Sequence, residues 1–175
     1  MISNFNNNRE ELKSSLEEFI KSVKKISKDK NWLSSYFDLL NKLLTDSIIK
    51  ENLNQIITTK NLKIIIGNRT VVMPSSKDKV CFIMPLSTRN EIIKNYQAKI
   101  SEDYFFDTKG EEQEALWVEF NRDIISTNDT FIFTNWINAV KTELDNGINS
   151  SFKKSQNKDC FNAIMDLSFR RQIML

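Results

Sequence analysis

The sequence predicts an α+β fold with N-terminal antiparallel helices, a central antiparallel β-meander over about 62–86 plus 115–121, and C-terminal helices. Apolar residues recur at three- and four-residue steps before residue 58, β-branched runs between turn residues follow, and the helical period returns beyond residue 128. Because the chain has 175 residues and 40% of them are hydrophobic, residues 1–175 are expected to form a single domain with its own core.

The N-terminal part, residues 1–58, is predicted to be helical. Residues 1–8 are rich in asparagine and are expected to be frayed. The three predicted helices have apolar positions from Leu12 to Ile26, from Trp32 to Leu44 and from Ile48 to Ile57. A polar break separates the first two, and Asp46 is predicted to cap the third. The short connections between them favour antiparallel packing.

The first helix ends in a run of lysines, namely Lys21, Lys24, Lys25 and Lys28. Cations stabilise the negative end of a helix dipole, so a solvated face accounts for this run. A phosphate-binding patch is the alternative.

The meander is predicted from two turns. Gly67-Asn68 tolerates positive φ and separates the β-branched runs Leu62–Ile66 and Thr70–Met73, which predicts a tight hairpin. A second turn at 75–78 leads into Val80–Met84. Pro74 and Pro85 are predicted to mark strand ends, because a proline cannot donate a hydrogen bond to a neighbouring strand.

The second half of the chain is predicted to add a strand and three helices, and residues 104–106 are either a further strand or a docked loop. The strand is Ala115–Phe120, with Leu116, Val118 and Phe120 on one face and Trp117 and Glu119 on the other. A capping box formed by Thr88 and Glu91 is predicted to open a short helix with Ile92 and Ile93 on its buried side. The later helices are predicted to start at Asn128 or Asp129, to close at Gly147, and to start again at Asp159.

Composition excludes several kinds of chemistry. The chain has no histidine, which rules out histidine-dependent triads, HNH-type nucleases and the usual zinc sites. Its two cysteines, Cys81 and Cys160, lie beside apolar residues and are interpreted as buried. We therefore expect no enzyme activity, no cofactor and no metal. The polar N-terminus lacks the apolar stretch of a signal peptide, so we expect a cytoplasmic protein that does not enter a membrane.

A metal-dependent nuclease is the enzymatic alternative. Acidic residues are frequent between 102 and 119, and such nucleases often combine a carboxylate with an acidic-x-Lys strand. The strand here reads Glu119-Phe120-Asn121 and lacks the lysine. A solvated acidic loop explains this segment better.

The residues selected as a candidate nucleic-acid site are Lys153, Lys154, Lys158, Arg69 and Trp117. The three lysines alternate with hydroxyl side chains, a combination that suits backbone phosphates, and Arg170 and Arg171 extend that cationic segment. Arg69 is expected to add a phosphate contact, and Trp117 to stack on a base. The alternatives are a plain surface loop for the lysines, a turn for Gly67-Asn68-Arg69 and a core position for Trp117.

The order of these features resembles a known family. The segments LKIIIGNRTVV, VCFIMP and ALWVEF, followed by NSSFKKSQNKDCFNAIMDLSFRRQIML, resemble the N-terminal DNA target-recognition regions of GTPase subunits in modified-cytosine restriction systems. The resemblance implies recognition of DNA with a flipped or distorted base. The sequence departs from that family because its 175 residues contain no GTPase module.

Two functions follow as hypotheses. The first is a non-enzymatic nucleic-acid-binding module of a prokaryotic defence or restriction system. The second is a small protein-interaction subunit or inhibitor that binds and blocks a protein partner. The second rests on the formal charge of only +2 and on the aromatic residues, including Tyr104, Phe105, Phe106 and Trp136.

Overall fold

The computed structural model describes residues 3–67, 69–101, 115–145 and 156–175, without the side chains of 3–12 and 14. The described residues form seven helices: α1 (Ser3–Ile26), α2 (Lys30–Thr45), α3 (Ser47–Glu51), α4 (Arg89–Asn95), α5 (Thr130–Asp145), α6 (Lys158–Met165) and α7 (Leu167–Ile173). They also form six strands: β1 (Ile56–Thr58), β2 (Ile64–Ile66), β3 (Arg69–Ser76), β4 (Lys79–Pro85), β5 (Ala98–Ser101) and β6 (Ala115–Asn121).

The six strands form one antiparallel sheet in the order β1-β2-β3-β4-β6-β5. Helices precede and follow this sheet along the chain. The predicted α+β class, with N-terminal helices, a central antiparallel meander and C-terminal helices, is therefore confirmed.

Both predicted hairpins are present. In the first, Ile66 of β2 pairs with Arg69 of β3, and Gly67 has a φ of 58°, a conformation that glycine adopts without a steric penalty. The second joins β3 to β4 through the pair Ser76 and Lys79. These two hairpins place strands β2, β3 and β4 side by side in chain order.

The prediction for the prolines is half right. Pro85 ends β4 as predicted, whereas Pro74 lies inside β3 and is paired with Val80. The register between β3 and β4 shifts next to Pro74, and β2 pairs with β3 only as far as Val72. A proline is tolerated in a strand at such an irregular, one-sided position.

The two edge strands were not predicted. Ile56–Thr58 was assigned to the third helix, but α3 ends at Glu51, and these residues pair with Ile64–Ile66 as β1. The other edge strand is β5, in which Ile100 pairs with Val118 of β6. Both strands are only three or four residues long, which is too short for a clear alternating pattern.

Helix ends show both confirmed and wrong predictions. Asp46 caps α3 by accepting hydrogen bonds from the backbone N–H groups of Ile48 and Ile49. The capping box of Thr88 is absent, because its hydroxyl donates to the carbonyl of Pro85 at 2.7 Å and caps no helical N–H. Ile93, predicted to be buried, is 57% exposed.

The terminal helices also differ from the prediction. Helix α1 begins at Ser3, well before Leu12, the first apolar position of the predicted helix, and the expected fraying of residues 1–8 stays a prediction. The helix expected from Asp159 is divided into α6 and α7, because Asp166 ends α6 and caps α7 through the N–H groups of Ser168 and Phe169. Gly147, the predicted C-cap of α5, lies outside the described residues.

The sheet is covered on both faces. On one face, Phe82 of β4 contacts Trp136 of α5, with ring centroids 5.2 Å apart, and the Trp136 indole donates to the carbonyl of Val71 at 3.0 Å. In β6, Leu116, Trp117 and Val118 are all buried, although alternate residues point to opposite faces. Exposed sites must therefore lie at the edges and ends of the sheet.

Candidate nucleic-acid interface

The predicted lysine loop is described only at its end. Lys153 and Lys154 lie outside the described residues. Lys158 is exposed and is the first residue of α6. A contact between these lysines and nucleic acid stays a prediction.

Arg69 is not on the protein surface. It is 7% exposed, and its Nη1 lies 3.3 Å from Oε1 of Glu143 in α5, which is 2% exposed. The expected phosphate contact was inferred from a turn, but the side chain of Arg69 points inward and compensates a buried carboxylate. Burial raises the pKa of Glu143, and the charge of Arg69 opposes that shift.

Trp117 is likewise buried. It is 7% exposed and lies in β6 between Ile83 of β4 and Ser101 of β5. Trp117 therefore occupies a core position, which was the alternative to base stacking. In this structure its ring is too buried to stack on a base. The structure does not bring Arg69, Trp117 and Lys158 together on one exposed surface.

Arg170 differs from its neighbour Arg171, although both were considered as extensions of the cationic segment. Arg171 is exposed, whereas Arg170 is 4% exposed. Its guanidinium donates to the carbonyls of Ala163 and Ile164 at 2.8 and 3.0 Å and to Asp38 at 2.5 Å. Arg170 thus satisfies the C-terminal carbonyls of α6 and ties that helix to α2.

Replacing Arg170 with leucine is expected to lower the free energy of unfolding by about 2–3 kcal/mol, because two buried carbonyls lose a charged donor. Urea unfolding measures this loss. Arg171→Leu is the matched control, since the same change at an exposed position is expected to stay within about 0.5 kcal/mol. Equal losses in the two variants would contradict the structural role of Arg170.

A polar groove runs between the end of α1 and the β3–β4 hairpin. It consists of two adjoining cavities of about 720 and 620 Å³, both lined by Lys25, Ile26, Lys77 and Arg122. The first cavity is lined by both cationic and acidic side chains, whereas the second has cationic side chains and no carboxylate among the described residues that line it. Among the described residues, the cationic side chains that line the groove are Lys24, Lys25, Lys28, Lys63, Lys77 and Arg122.

Arg122 forms part of the groove floor and is held from both sides. Its backbone N–H donates to the carbonyl of Asp78 at 2.9 Å, and its carbonyl accepts from the indole of Trp32 at 3.1 Å. The guanidinium carbon lies 4.1 Å from the centre of the Trp32 ring, a cation–π contact, and Nη2 donates to the carbonyl of Ile26 at 2.9 Å.

The arginine rests on an aromatic stack that reaches the core. Trp32 stacks on Tyr36 with ring centroids 5.1 Å apart, and the Tyr36 hydroxyl donates to the carbonyl of Leu62 at 2.7 Å. Burial lowers the pKa of Arg122, but an arginine remains protonated at neutral pH. The buried Nε of Arg122 has no hydrogen-bond partner among the described residues. Because this Nε is buried, it is not presented to a ligand, and the groove presents a cation that Trp32 and the carbonyl of Ile26 hold in place.

The groove is not uniformly basic. Asp29, Asp78 and Asp123 line the first cavity, together with five cationic side chains. Asp29 is occupied as the cap of α2, accepting from the N–H groups of Asn31 and Trp32. Within the part of the chain that the structure describes, neither Asp78 nor Asp123 has an ion-pair or hydrogen-bond partner for its carboxylate.

Glu119, the acidic residue of the nuclease alternative, makes other contacts. Its Oε2 accepts from the hydroxyl of Ser75 at 2.7 Å. The neighbouring Asn121 accepts from Lys79 at 2.5 Å. In the described ranges, no group of three or more histidine, cysteine or acidic side chains is placed to hold a metal ion.

Sequence reasoning found one side of this groove and missed the other. The lysines at the end of α1 were noted, with a phosphate patch as the alternative reading. Arg122 and Trp32 are 90 positions apart, and nothing in their local sequence indicates that they meet. Pairing of β4 with β6 places Asn121 opposite Lys79 and hence Arg122 beside the hairpin turn. Packing of α2 against the 3₁₀ segment Arg122–Ser126 brings Trp32 to the same place.

Comparisons with known proteins assign neither a family nor a function to the chain. No protein-family model matches the chain, and neither a curated protein nor a solved structure matches it. Among the described residues, no helix is long and apolar enough to cross a membrane.

Proposed function

We propose that the chain is a non-enzymatic nucleic-acid-binding module and that the groove between α1 and the β3–β4 hairpin binds the phosphate backbone. One observation carries this proposal: cationic side chains from several separate elements converge on a single groove. Five of them are lysines, and none of the five is paired with a carboxylate among the described residues.

The helix dipole explains only part of this arrangement. Lys24, Lys25 and Lys28 lie in or just after the last turn of α1, where a cation is favoured without any ligand. Lys63 precedes β2, and Lys77 lies in the β3–β4 turn, so the dipole of α1 does not account for them. Convergent, unpaired cations repel one another, and the negative charge of a bound polyanion relieves that repulsion. The counterions released from the polyanion favour binding further.

Removing the convergent lysines tests the proposal. We expect Lys25→Ala/Lys63→Ala/Lys77→Ala to weaken binding of a labelled DNA single strand at low salt by roughly tenfold or more, because each lost contact contributes up to about 1 kcal/mol. The slope of log affinity against log salt is expected to become shallower by about two, at about 0.7 per phosphate contact. Fluorescence anisotropy measures both quantities.

The matched control removes three exposed lysines outside the groove, in Lys42→Ala/Lys50→Ala/Lys94→Ala. The net charge change is the same, so a general effect of charge would appear in both variants. Unchanged binding in the groove variant, or equal loss in both, would contradict the groove as the interface. Lys153→Ala/Lys154→Ala tests the predicted loop separately.

The finer assignments rest on the resemblance and, for the location, on the polar N-terminus. A restriction or defence setting, a flipped or distorted base and a cytoplasmic location stay predictions that the groove does not address. A pull-down with the purified chain and its ratio of absorbance at 260 and 280 nm would separate nucleic acid from protein as the partner.

A protein partner is the second candidate function. Leu86 and Ile93, in the 3₁₀ turn after β4 and in α4, are 45% and 57% exposed, and large exposed apolar side chains are common at protein interfaces. Trp136, one of the aromatic residues that suggested this function, is fully buried. A stoichiometric protein partner recovered without nucleic acid would favour this candidate.

A further inference from the structure

We propose that the second cavity of the groove is a preorganised site for one phosphate group, in which Arg122 and Lys63 bind the phosphate oxygens and Tyr36 positions both cations. This inference rests on the proposed function and deepens it, because it names the side chains that are held in place before the ligand binds. A backbone phosphate of a nucleic acid and a free phosphate ion share this chemistry.

The four cations that line this cavity of about 620 Å³ are of two kinds. Lys25 and Lys77 are exposed, whereas Lys63 and Arg122 are half-buried. A long side chain that its neighbours already confine loses less rotamer freedom on binding than an exposed one. No carboxylate is among the described residues that line the cavity. We therefore expect Lys63 and Arg122 to contribute most of the affinity for a phosphate group.

Arg122 keeps one donor group for a ligand. Its Nη2 donates to the carbonyl of Ile26 and its Nε is buried, whereas Nη1 has no hydrogen-bond partner among the described residues and stays accessible to solvent. The ring of Trp32, 4.1 Å from the guanidinium carbon, restricts the plane of the guanidinium. A planar guanidinium held in this way binds phosphate oxygens with a defined geometry, which a flexible ammonium group does not.

Lys63 is held by the turn between β1 and β2. Leu62, the residue before it, has a φ of 60°, which a leucine adopts only at a steric cost. Hydrogen bonds close the turn, from the N–H of Leu62 to the carbonyl of Thr59 at 3.0 Å and from the N–H of Thr59 to the carbonyl of Lys63 at 3.1 Å. The side chain of Leu62 is fully buried, while its neighbours Asn61 and Lys63 line the cavity. The strained residue thus places a cation and an amide in the wall of the site.

Tyr36 connects these two supports. Its hydroxyl donates to the carbonyl of Leu62 at 2.7 Å, and its ring stacks on Trp32, which contacts Arg122. Tyr36 is fully buried and does not line the cavity, so it does not touch a bound phosphate. It is a positioning residue, through which the turn that carries Lys63 and the ring beneath Arg122 are held relative to each other.

Removing the Tyr36 hydroxyl tests the positioning role. Tyr36→Phe keeps the ring on Trp32 but releases the turn at Leu62, and we expect the labelled DNA strand to bind about fivefold more weakly. Because both cations are still present, the slope of log affinity against log salt is expected to stay unchanged, unlike that of the triple lysine variant. Tyr96→Phe is the matched control. It removes a hydroxyl that donates to Asp129 at 2.9 Å outside the groove, and it is expected to keep the affinity of the unaltered protein.

Replacing Arg122 with lysine tests the second ligand without a change in net charge. A lysine lacks the planar donor group and the contact with the ring of Trp32, so we expect about fivefold weaker binding of the labelled strand. If charge alone determined binding, Arg122→Lys would bind as tightly as the unaltered protein. This variant keeps the inference testable even if Tyr36→Phe does not fold.

Inorganic phosphate distinguishes the two sources of the phosphate group. In proton–nitrogen correlation spectra, phosphate is added in place of chloride at constant ionic strength. We expect the indole signal of Trp32 and the backbone amide signal of Lys63 to shift and to saturate at a phosphate concentration on the order of millimolar. Tyr36→Phe is expected to weaken this titration, whereas Tyr96→Phe is not.

The outcomes separate this inference from the proposed function. Salt-dependent DNA binding that neither Tyr36→Phe nor Arg122→Lys weakens overturns the preorganised site and leaves the nucleic-acid proposal standing. A phosphate titration that depends on Tyr36, without binding of DNA, supports the site and overturns the nucleic-acid proposal. Equal losses of affinity in Tyr36→Phe and Tyr96→Phe overturn the positioning role. Absence of binding to both DNA and phosphate overturns both proposals.

Discussion

Replacing Arg69 with methionine is expected to lower the free energy of unfolding by about 3–5 kcal/mol. The variant leaves the carboxylate of Glu143 buried, at 2% exposure, without the cation that lies 3.3 Å from it. The other oxygen of Glu143, Oε2, already has no hydrogen-bond partner among the described residues. Urea unfolding followed by circular dichroism measures the loss.

The double variant Arg69→Met/Glu143→Leu is the control for this prediction. Removing both partners of a buried ion pair avoids an uncompensated charge, so most of the lost stability is expected to return. A loss equal to that of the single variant would show that Arg69 stabilises the fold through other contacts. Normal stability of Arg69→Met together with a sharp loss of nucleic-acid binding would restore the predicted phosphate contact.

The same pair predicts a pH dependence. Burial raises the pKa of Glu143 above its ordinary value of 4.5, and removal of Arg69 eliminates the interaction that opposes this shift. A carboxyl group whose pKa is raised on folding binds its proton more tightly in the folded state, so its contribution to stability improves as pH falls. The loss in free energy of unfolding caused by Arg69→Met is therefore expected to shrink as the pH is lowered from neutral toward 4.5.

The parts of the fold that the sequence predicted are those with strong local signals. Gly67 in a two-residue turn and the Asp46 cap each act within a few residues, and the structure has both. The short edge strands β1 and β5 have no such signal, because a run of three or four residues becomes a strand only when a neighbour supplies its hydrogen bonds.

The candidate site was harder to predict for the same reason. The charge of a residue can be read from the sequence, but the direction in which its side chain points cannot. Arg69 and Arg170 point inward to Glu143 and Asp38, whereas Lys25 and Lys77 are exposed in the groove. The packing of elements distant in sequence determines which cations form buried ion pairs and which stay exposed to a ligand.

Replacing Trp117 with alanine is expected to cost about 3–5 kcal/mol of stability, the range for removing a large aromatic side chain from a core. Trp117 is 7% exposed and belongs to β6, which is paired with β4 and β5, so its loss opens a cavity beside the face of the sheet from which it projects. Trp117→Phe keeps an aromatic ring and is expected to cost roughly 1–2 kcal/mol, because fewer buried atoms are removed. Thermal and urea unfolding measure both variants.

Nucleic-acid binding by Trp117→Phe distinguishes a core residue from a base-stacking one. As a core residue outside the groove, Trp117 is expected to be replaced by phenylalanine without a change in single-strand affinity or in salt dependence. The variant remains informative even if Trp117→Ala does not fold. A tenfold loss of affinity in a folded Trp117→Phe protein would instead show that the tryptophan contacts the ligand, and the interface would then have to extend from the groove to β6.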